Sequence, residues 1–515
     1  MKIKVGAAAL LCCLALAAAA GCGGQGGRNS GEMPKDRIEL VIYISSLSSQ
    51  TAGDVKAAEE LEKKFWKDTG TAVKLTHKLY STDDLNTKLN LAITAKEQVD
   101  AVILHYGDDT GLNPYIRNNI AMELDELIAA YGGNLTKNIP AETWNTYRMN
   151  GNIYAVPGYE ASSCYGILMR KDWREAASLP FPETIGQFTA VLNAYKAKAS
   201  GMVPIVGNPW DMERCLTGAF KTYPYFSYVL DDSNTLTLGS MHKNRGAFMK
   251  QLYDWTSAKL WDSDNQNRKV DSAQNLMVTE KAGAYAYSPY GENLIRVSRM
   301  VKIENPAAQF EVITSLKGPD GGTSGMYEIM PSLTGLMIPK ASTNAATMIK
   351  YLNWMYSSAD NYDLARYGIE GEHWVKDGAD KYGFPSGKET LFMTTPPVSG
   401  TLNLIGNKNV SDRILNLYTA EEAGWMKQIR ENTVFKDNLS GYLLPSIVDV
   451  NASNAFSLAA ANLQMEVVAG AWAGIMDPLS PVGGKTRQQH YTDLIYTNAA
   501  QYLSLLTTAY NLATA

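Results

Sequence analysis

Cysteine is scarce in this chain. There are five in 515 residues, and three of them (Cys12, Cys13 and Cys22) fall within the first 22 positions. That excludes a small scaffold stapled by disulfides. For the remaining two, Cys164 and Cys215, sequence leaves both a disulfide and a pair of buried thiols open. An excess of either charge is also missing: 47 Lys and Arg against 52 Asp and Glu leave the chain at −5. A mildly acidic surface offers no footprint for nucleic acid. The histidines (77, 105, 242, 373 and 490) never stand as His-x-x-x-His, which excludes a zinc-peptidase helix. Pro481–Thr486 looks like the end of a phosphate-binding loop, but Leu479 stands where that loop needs glycine. Asp231-Asp232 and Asp262-Ser263-Asp264 lack the glycine and distal glutamate that close a calcium loop. They read as solvated turns, and no metal or cofactor is expected. Long hydrophobic runs reduce to Val5–Ala20, shorter than a comfortable membrane span. Leu458–Met476 is interrupted by Asn462, Gln464 and Glu466 and reads as a packed helix.

What is present is ordinary in bulk and unusual in detail. With 45% hydrophobic and 19% charged residues the composition is globular, and the length suits two to four domains. The 29 Tyr and 10 Trp suit flat ligands with apolar faces and hydroxyl rims, such as sugars. Lys2, Lys4, the apolar run and the small residues behind it read as a signal peptide over residues 1–21. Ala19-Ala20-Gly21-Cys22 resembles the bacterial lipobox, with Ala19 where leucine is usual. The resemblance implies that Cys22 is lipidated and becomes the first mature residue. Residues 22–36, opening Gly23-Gly24-Gln25-Gly26-Gly27 after the cysteine, would be a flexible tether.

Hydrophobic periodicity predicts strands at Ile38–Ile44, Ala72–Tyr80 and Asp100–Tyr106, with helices at Asp54–Asp68, from Thr82, and from Pro114 to Tyr131. This β-α-β order argues for mostly parallel sheets flanked by helices. A second unit is expected from residue 159, with strands at Gly166–Met169, Ala284–Tyr287 and Phe310–Leu316 and helices at Pro182–Ala199 and Asn244–Lys259. The chain is expected to cross back near residue 315, to add a strand at Leu333–Pro339, and then to become largely helical.

Several blocks in order resemble the family 1 extracellular solute-binding proteins of ABC transporters, in the lipoprotein branch of Gram-positive bacteria. They are Phe65–Gly70, Leu89–Ile93, Asn134–Pro140 with Trp144, Asn150–Pro157, Leu168–Trp173, Leu260–Asp264, Gly318–Gly322 and Tyr367–Trp374. The resemblance implies a two-lobe, type II periplasmic-binding-protein-like α/β fold. Residues 37–158 with about 315–360 would form one lobe. Residues 159–314 with parts of 361–515, including a helical C-terminal region, would form the other. It implies a receptor on the extracellular face of the membrane that delivers a carbohydrate to permease subunits, acts as a monomer and catalyses nothing. The alternative from another class is an exported carbohydrate-active enzyme, because 52 acids always offer carboxylate pairs.

A sugar receptor needs aromatic plates and charged hydrogen-bond partners at the ends of strands. Tyr106 and Asp108 follow the third strand, and Tyr159 with Glu160 follows Ala155-Val156-Pro157 at the lobe crossing. Trp210 and Asp211 follow the run Val203–Val206 and are expected in a loop. Tyr287 and Tyr290 end another strand, and Glu370 and Trp374 lie in a Gly-rich stretch. Trp210 is the foremost candidate plate.

Overall fold

The computed structural model describes residues 32–45, 52–80, 82–105, 112–149, 151–158, 165–225, 227–231, 233–287, 292–324, 326–328, 334–376, 382–383, 385, 419–435 and 450–514. Strand β1 (Ile38–Ser45) is apolar on both faces. Leu40, Ile42 and Ile44 enter one core cluster, and Val41 and Tyr43 enter another. Such a strand belongs inside a sheet covered on both sides. Helix α1 (Ala52–Thr69) buries Ala58, Leu61 and Phe65 at helical spacing, and burying side chains of the size of Leu61 or Phe65 contributes about 1.5–3 kcal/mol each. Strand β2 (Val73–Tyr80) then runs parallel to β1. After α2 (Thr82–Thr94), β3 (Ala101–His105) runs parallel on the other side of β1.

The helix expected from Pro114 to Tyr131 is two helices, Asn113–Arg117 and Asp125–Tyr131. Between them Asn119 adopts a left-handed φ of 58°, Ala121 bridges Pro339, and the Met122 N–H donates to the Ile338 carbonyl at 2.9 Å. Tertiary pairing takes that backbone away from the helix. Strand β4 (Ala155–Pro157) closes this stretch.

Next come β5 (Gly166–Arg170), α3 (Ile185–Ala197), β6 (Val203–Val206), α4 (Pro209–Leu216), α5 (Arg245–Ser257), β7 (Ala282–Tyr287) and β8 (Phe310–Ile313). Helix α3 opens with a capping box in which Thr184 and Gln187 satisfy each other's backbone N–H. The strands form a sheet in the order β8-β5-β7-β6. The chain then returns through β9 (Met326–Glu328) to β10 (Thr334–Met337), which inserts between β3 and β4. The first sheet therefore reads β2-β1-β3-β10-β4. Helices α6 (Ala345–Met355) and α7 (Ala359–Tyr367) cover it, and α8 (Ala420–Glu431) buries Trp425, Met426 and Ile429 in the second lobe. Strand β11 (Thr433–Phe435) pairs parallel with β9. The helices α9 (Val450–Leu463), α10 (Arg487–Asn498) and α11 (Ala500–Thr514) pack together on the hairpin Tyr228–Leu230/Leu236–Leu238.

Two sequence expectations need correcting. The sheets are mixed: β1–β2, β1–β3 and β7–β6 are parallel, while β10–β3, β10–β4, β7–β5 and β8–β5 are antiparallel. The antiparallel pairs all involve β5 or β10, each the first strand laid down after a passage between sheets. The return passage also starts later than residue 315. The Lys317 N–H donates to the Glu183 carbonyl at 2.8 Å, and Lys317 accepts from the Ile185 N–H at 3.0 Å. A Cβ on Gly318 would lie 1.8 Å from the Ala219 carbonyl oxygen, so glycine alone permits this docking. The chain stays on the second lobe through Ser324. Among the described residues no helix is long and apolar enough to cross a membrane.

Candidate functional site

The registers place the connecting segments. In the first sheet His105 lies opposite Thr334 and Pro157 opposite Gly335, so β3 and β4 end where β10 begins. In the second sheet Tyr287 lies opposite Gly166, Ile313 opposite Ile167 and Val206 opposite Tyr285. Strands β6, β7 and β8 thus end at the edge where β5 begins. One crossing runs from Pro157 to Gly166; after Ile313 the chain stays on the second lobe through Ser324, and the other crossing runs from there to Thr334. Ligands of open α/β sheets bind outside these carboxyl ends.

Helix α4 occupies this edge of the second lobe. It starts from Gly207, whose φ of 152° suits glycine, and a Cβ there would lie 2.5 Å from the Ala286 carbonyl oxygen. The Trp261 indole N–H holds the Gly207 carbonyl at 3.1 Å. Asn208 caps the helix by accepting the Asp211 N–H at 3.0 Å, and Pro209 fills the first turn. The helix packs against β9 on the second crossing. Its Arg214 guanidinium lies 5.1 Å over the ring of Tyr165, where the first crossing arrives. Cys215 Sγ is 3.7 Å from the Gly166 carbonyl oxygen. So α4 touches both crossings.

Six of its eight side chains are buried, and the half-buried two are Trp210 and Arg214. Trp210 is edge-on to Trp472 at 4.9 Å and to Tyr225 at 5.8 Å. A buried ion pair stops the helix from rolling. Glu213 accepts from Arg245 and, at 2.8 Å, from the Tyr225 N–H, while Arg245 also donates to the Tyr223 carbonyl at 2.9 Å.

The other candidates separate. Trp210 lies in the first turn of α4 rather than in a loop. Asp211 is buried and accepts a hydrogen bond from the Asn208 side-chain amide, so it belongs to the helix cap. The backbone of Tyr287 ends β7 at this same edge. Glu370 and Trp374 are bridged to each other. Glu370 is exposed and paired with Lys376 at 3.3 Å. Trp374 is buried, with its indole N–H on the Gly368 carbonyl at 2.8 Å. Tyr106, Asp108, Tyr159, Glu160, Tyr290, Cys22 and Cys164 lie outside the described residues. Cys215 is a free, buried thiol, and burial raises its pKa well above the ordinary value. Asp262, read as part of a solvated turn, is buried under Arg268. Sequence reasoning missed Arg214. The cap and first-turn signals of Asn208-Pro209 announce a helix, and helical spacing then puts positions 210 and 214 on one face.

Comparison with known proteins agrees with this architecture. A polygalacturonan/rhamnogalacturonan-binding protein of Bacillus subtilis, YtcQ, is 25% identical over 387 residues, 70% of this chain and 72% of its own. Lipoprotein LipO of the same species is 24% identical over 73% of this chain and 76% of its own. The crystal structure of an N-glycan transport solute-binding protein from Streptococcus pneumoniae superposes with a TM-score of 0.67. That likeness spans 93% of this chain and 99% of the other at 14% identity, so it speaks for the fold. Residues 48–362 match the family described as bacterial extracellular solute-binding protein, a stretch that contains both sheets' crossings and α4. With two lobes, paired crossings and that match over more than half its length, the chain belongs to the bacterial extracellular solute-binding protein family.

Proposed function

We propose that this protein is a non-enzymatic receptor, lipid-anchored through Cys22 on the extracellular face of the cell membrane. It captures an oligosaccharide between its lobes as a monomer and passes it to the permease subunits of an ABC transporter. The observation that carries the reading is α4, a helix fixed at both crossings that leaves only an indole and a guanidinium partly open. An indole face suits the C–H face of a sugar, and a guanidinium suits its polar rim. The carbohydrate class is supported by the polygalacturonan-binding relative. Residues 1–21 supply the export signal, and residues 22–36 supply the tether. Tyr106, Asp108, Tyr159, Glu160 and Tyr290 follow strand ends in sequence and complete the binding surface in this reading.

The test is thermal unfolding of the soluble chain from residue 32 onward. It is measured with trigalacturonate, a rhamnogalacturonan tetrasaccharide, kestose and maltotriose. A sugar that binds only the folded state raises the melting temperature, and the recovered sugar should be chemically unchanged. A flat response to all four overturns the sugar assignment. Where a sugar binds, Trp210→Ala should weaken it by about 1–3 kcal/mol, the range for a lost stacking ring, without lowering the unliganded melting temperature by more than a few degrees.

A further inference from the structure

Most described arginines of the second lobe meet a carboxylate; Arg296 donates instead to the Gln274 amide oxygen at 2.6 Å, and Arg214 differs from both. Arg170, Arg174, Arg245, Arg268 and Arg299 are all well covered, and each meets a carboxylate: Asp172, Glu311, Glu213, Asp262 and Glu422 respectively. Arg214 is half-buried, yet it has neither a hydrogen bond nor an ion pair among the described residues. Its contact is the ring of Tyr165, which takes the flat face of the guanidinium and leaves its N–H edge unused. The acids nearest in sequence are already engaged. Asp211 is held by Asn208, and Glu213 by Arg245 and the Tyr225 N–H. Five N–H donors in a planar fork, partly removed from water and without an acceptor among the described residues, fit the paired oxygens of a carboxylate or a phosphate, and of these two a sugar acid carries the carboxylate.

The position of Arg214 supplies the rest. Trp210 and Arg214 are four residues apart on α4, so they share a face and are separated by about 6 Å along the axis. That is close to the width of one hexose ring. We propose that Arg214 is a specificity-determining residue that selects acidic sugars. Its guanidinium pairs with the carboxylate of a uronate residue whose ring lies on Trp210. This deepens the receptor reading above and rests on it. The buried pair Glu213–Arg245 fixes the roll of α4, so plate and fork are set before ligand arrives, which keeps the ordering cost of binding low.

The experiment compares trigalacturonate with its fully methyl-esterified form, which has the same skeleton and no charge. Affinities are measured by calorimetry on wild type, Arg214→Gln and Arg214→Lys, with the unliganded melting temperature of each recorded. Wild type should bind the free acid about 10- to 100-fold more tightly than the ester, the range for a charge-assisted, bidentate contact. Arg214→Gln should weaken the acid to the level of the ester and leave the ester unchanged. Arg214→Lys should recover part of the difference, since it keeps the charge and loses the fork. Equal binding of acid and ester by wild type overturns the proposal. So does an Arg214→Gln variant that weakens both alike, because Arg214 would then act through its packing on Tyr165. If wild type binds kestose or maltotriose but neither galacturonate form, the acidic-sugar proposal falls and the receptor reading stands. If no sugar binds at all, both fall.

Discussion

The two lobes hold their buried charges in different ways. In the first, Asp100 is fully buried and is satisfied mainly by neutral donors. It accepts the Val41 N–H at 2.9 Å, the Gln98 amide at 2.7 Å, the Ser342 hydroxyl at 2.7 Å and the Asn344 amide at 3.2 Å. Glu62 accepts the Leu75 N–H at 2.7 Å and also pairs with the half-buried Arg37 at 2.6 Å, and burial raises its pKa although both partners oppose the shift. In the second lobe Asp211 is held by the Asn208 amide, but Glu213, Asp262 and Glu422 are buried against Arg245, Arg268 and Arg299. Neutral donors knit strand to strand and leave no naked charge when one is lost. An ion pair leaves its partner stranded. The first lobe should therefore degrade gradually under substitution and the second abruptly.

The sharpest way to break this contrast is Arg245→Met, which strands Glu213. It should destabilise the second lobe by about 3–5 kcal/mol in urea unfolding, whereas the double substitution Arg245→Met/Glu213→Leu should recover most of that loss. A single variant as stable as wild type would remove the distinction. Next in size is an acid effect in the first lobe. Burial pushes His77 down to about 4, only partly opposed by the nearby Asp54 carboxylate. The unfolded chain takes up that proton first, near pH 6.5, so this contribution is complete above that pH and is lost as pH falls toward 4. The loss amounts to as much as about 3 kcal/mol at pH 4. His77→Gln should flatten this part of the stability profile, and matching wild-type and variant profiles between pH 7 and 4 would rule it out. The smallest effect is expected for Asp100→Asn, at about 1–3 kcal/mol, because three of its four donors come from side chains that can readjust. A cost as large as that of Arg245→Met would erase the comparison.

Much of the fold is written locally. The apolar runs of β1, β2 and β3 and the stripe of α1 appear within a residue or two of where periodicity puts them, because each forms one side of a core that only such spacing can fill. The strand at Leu333–Pro339 is expected with the first lobe, but what distant partners decide in detail is not legible. Ala121 leaves the helical pattern to bridge Pro339, and β10 inserts between β3 and β4 from some 180 residues beyond the nearer of them. The site shows the same division. Trp210 was singled out by its flanking residues, but its helix and its neighbour Arg214 follow from cap geometry that a loop reading overlooks. Trp374 has the flanks of a plate, yet its indole N–H is spent on a local carbonyl. Nothing in composition separates the two tryptophans; their burial does.

Helix α4 leans on both connecting segments, which makes it part of the axle on which the lobes would turn. Points near an axle barely travel when a door swings, while points at the free edge sweep furthest. A sugar unit seated on α4 would therefore stay nearly still during closure, and the mechanical advantage would lie with units further out along the chain. Gripping and length-gauging are then separate tasks. On the proposed reading, two side chains beside the pivot would set which sugar is held, and the distant rims would set how long a chain still lets the gap shut.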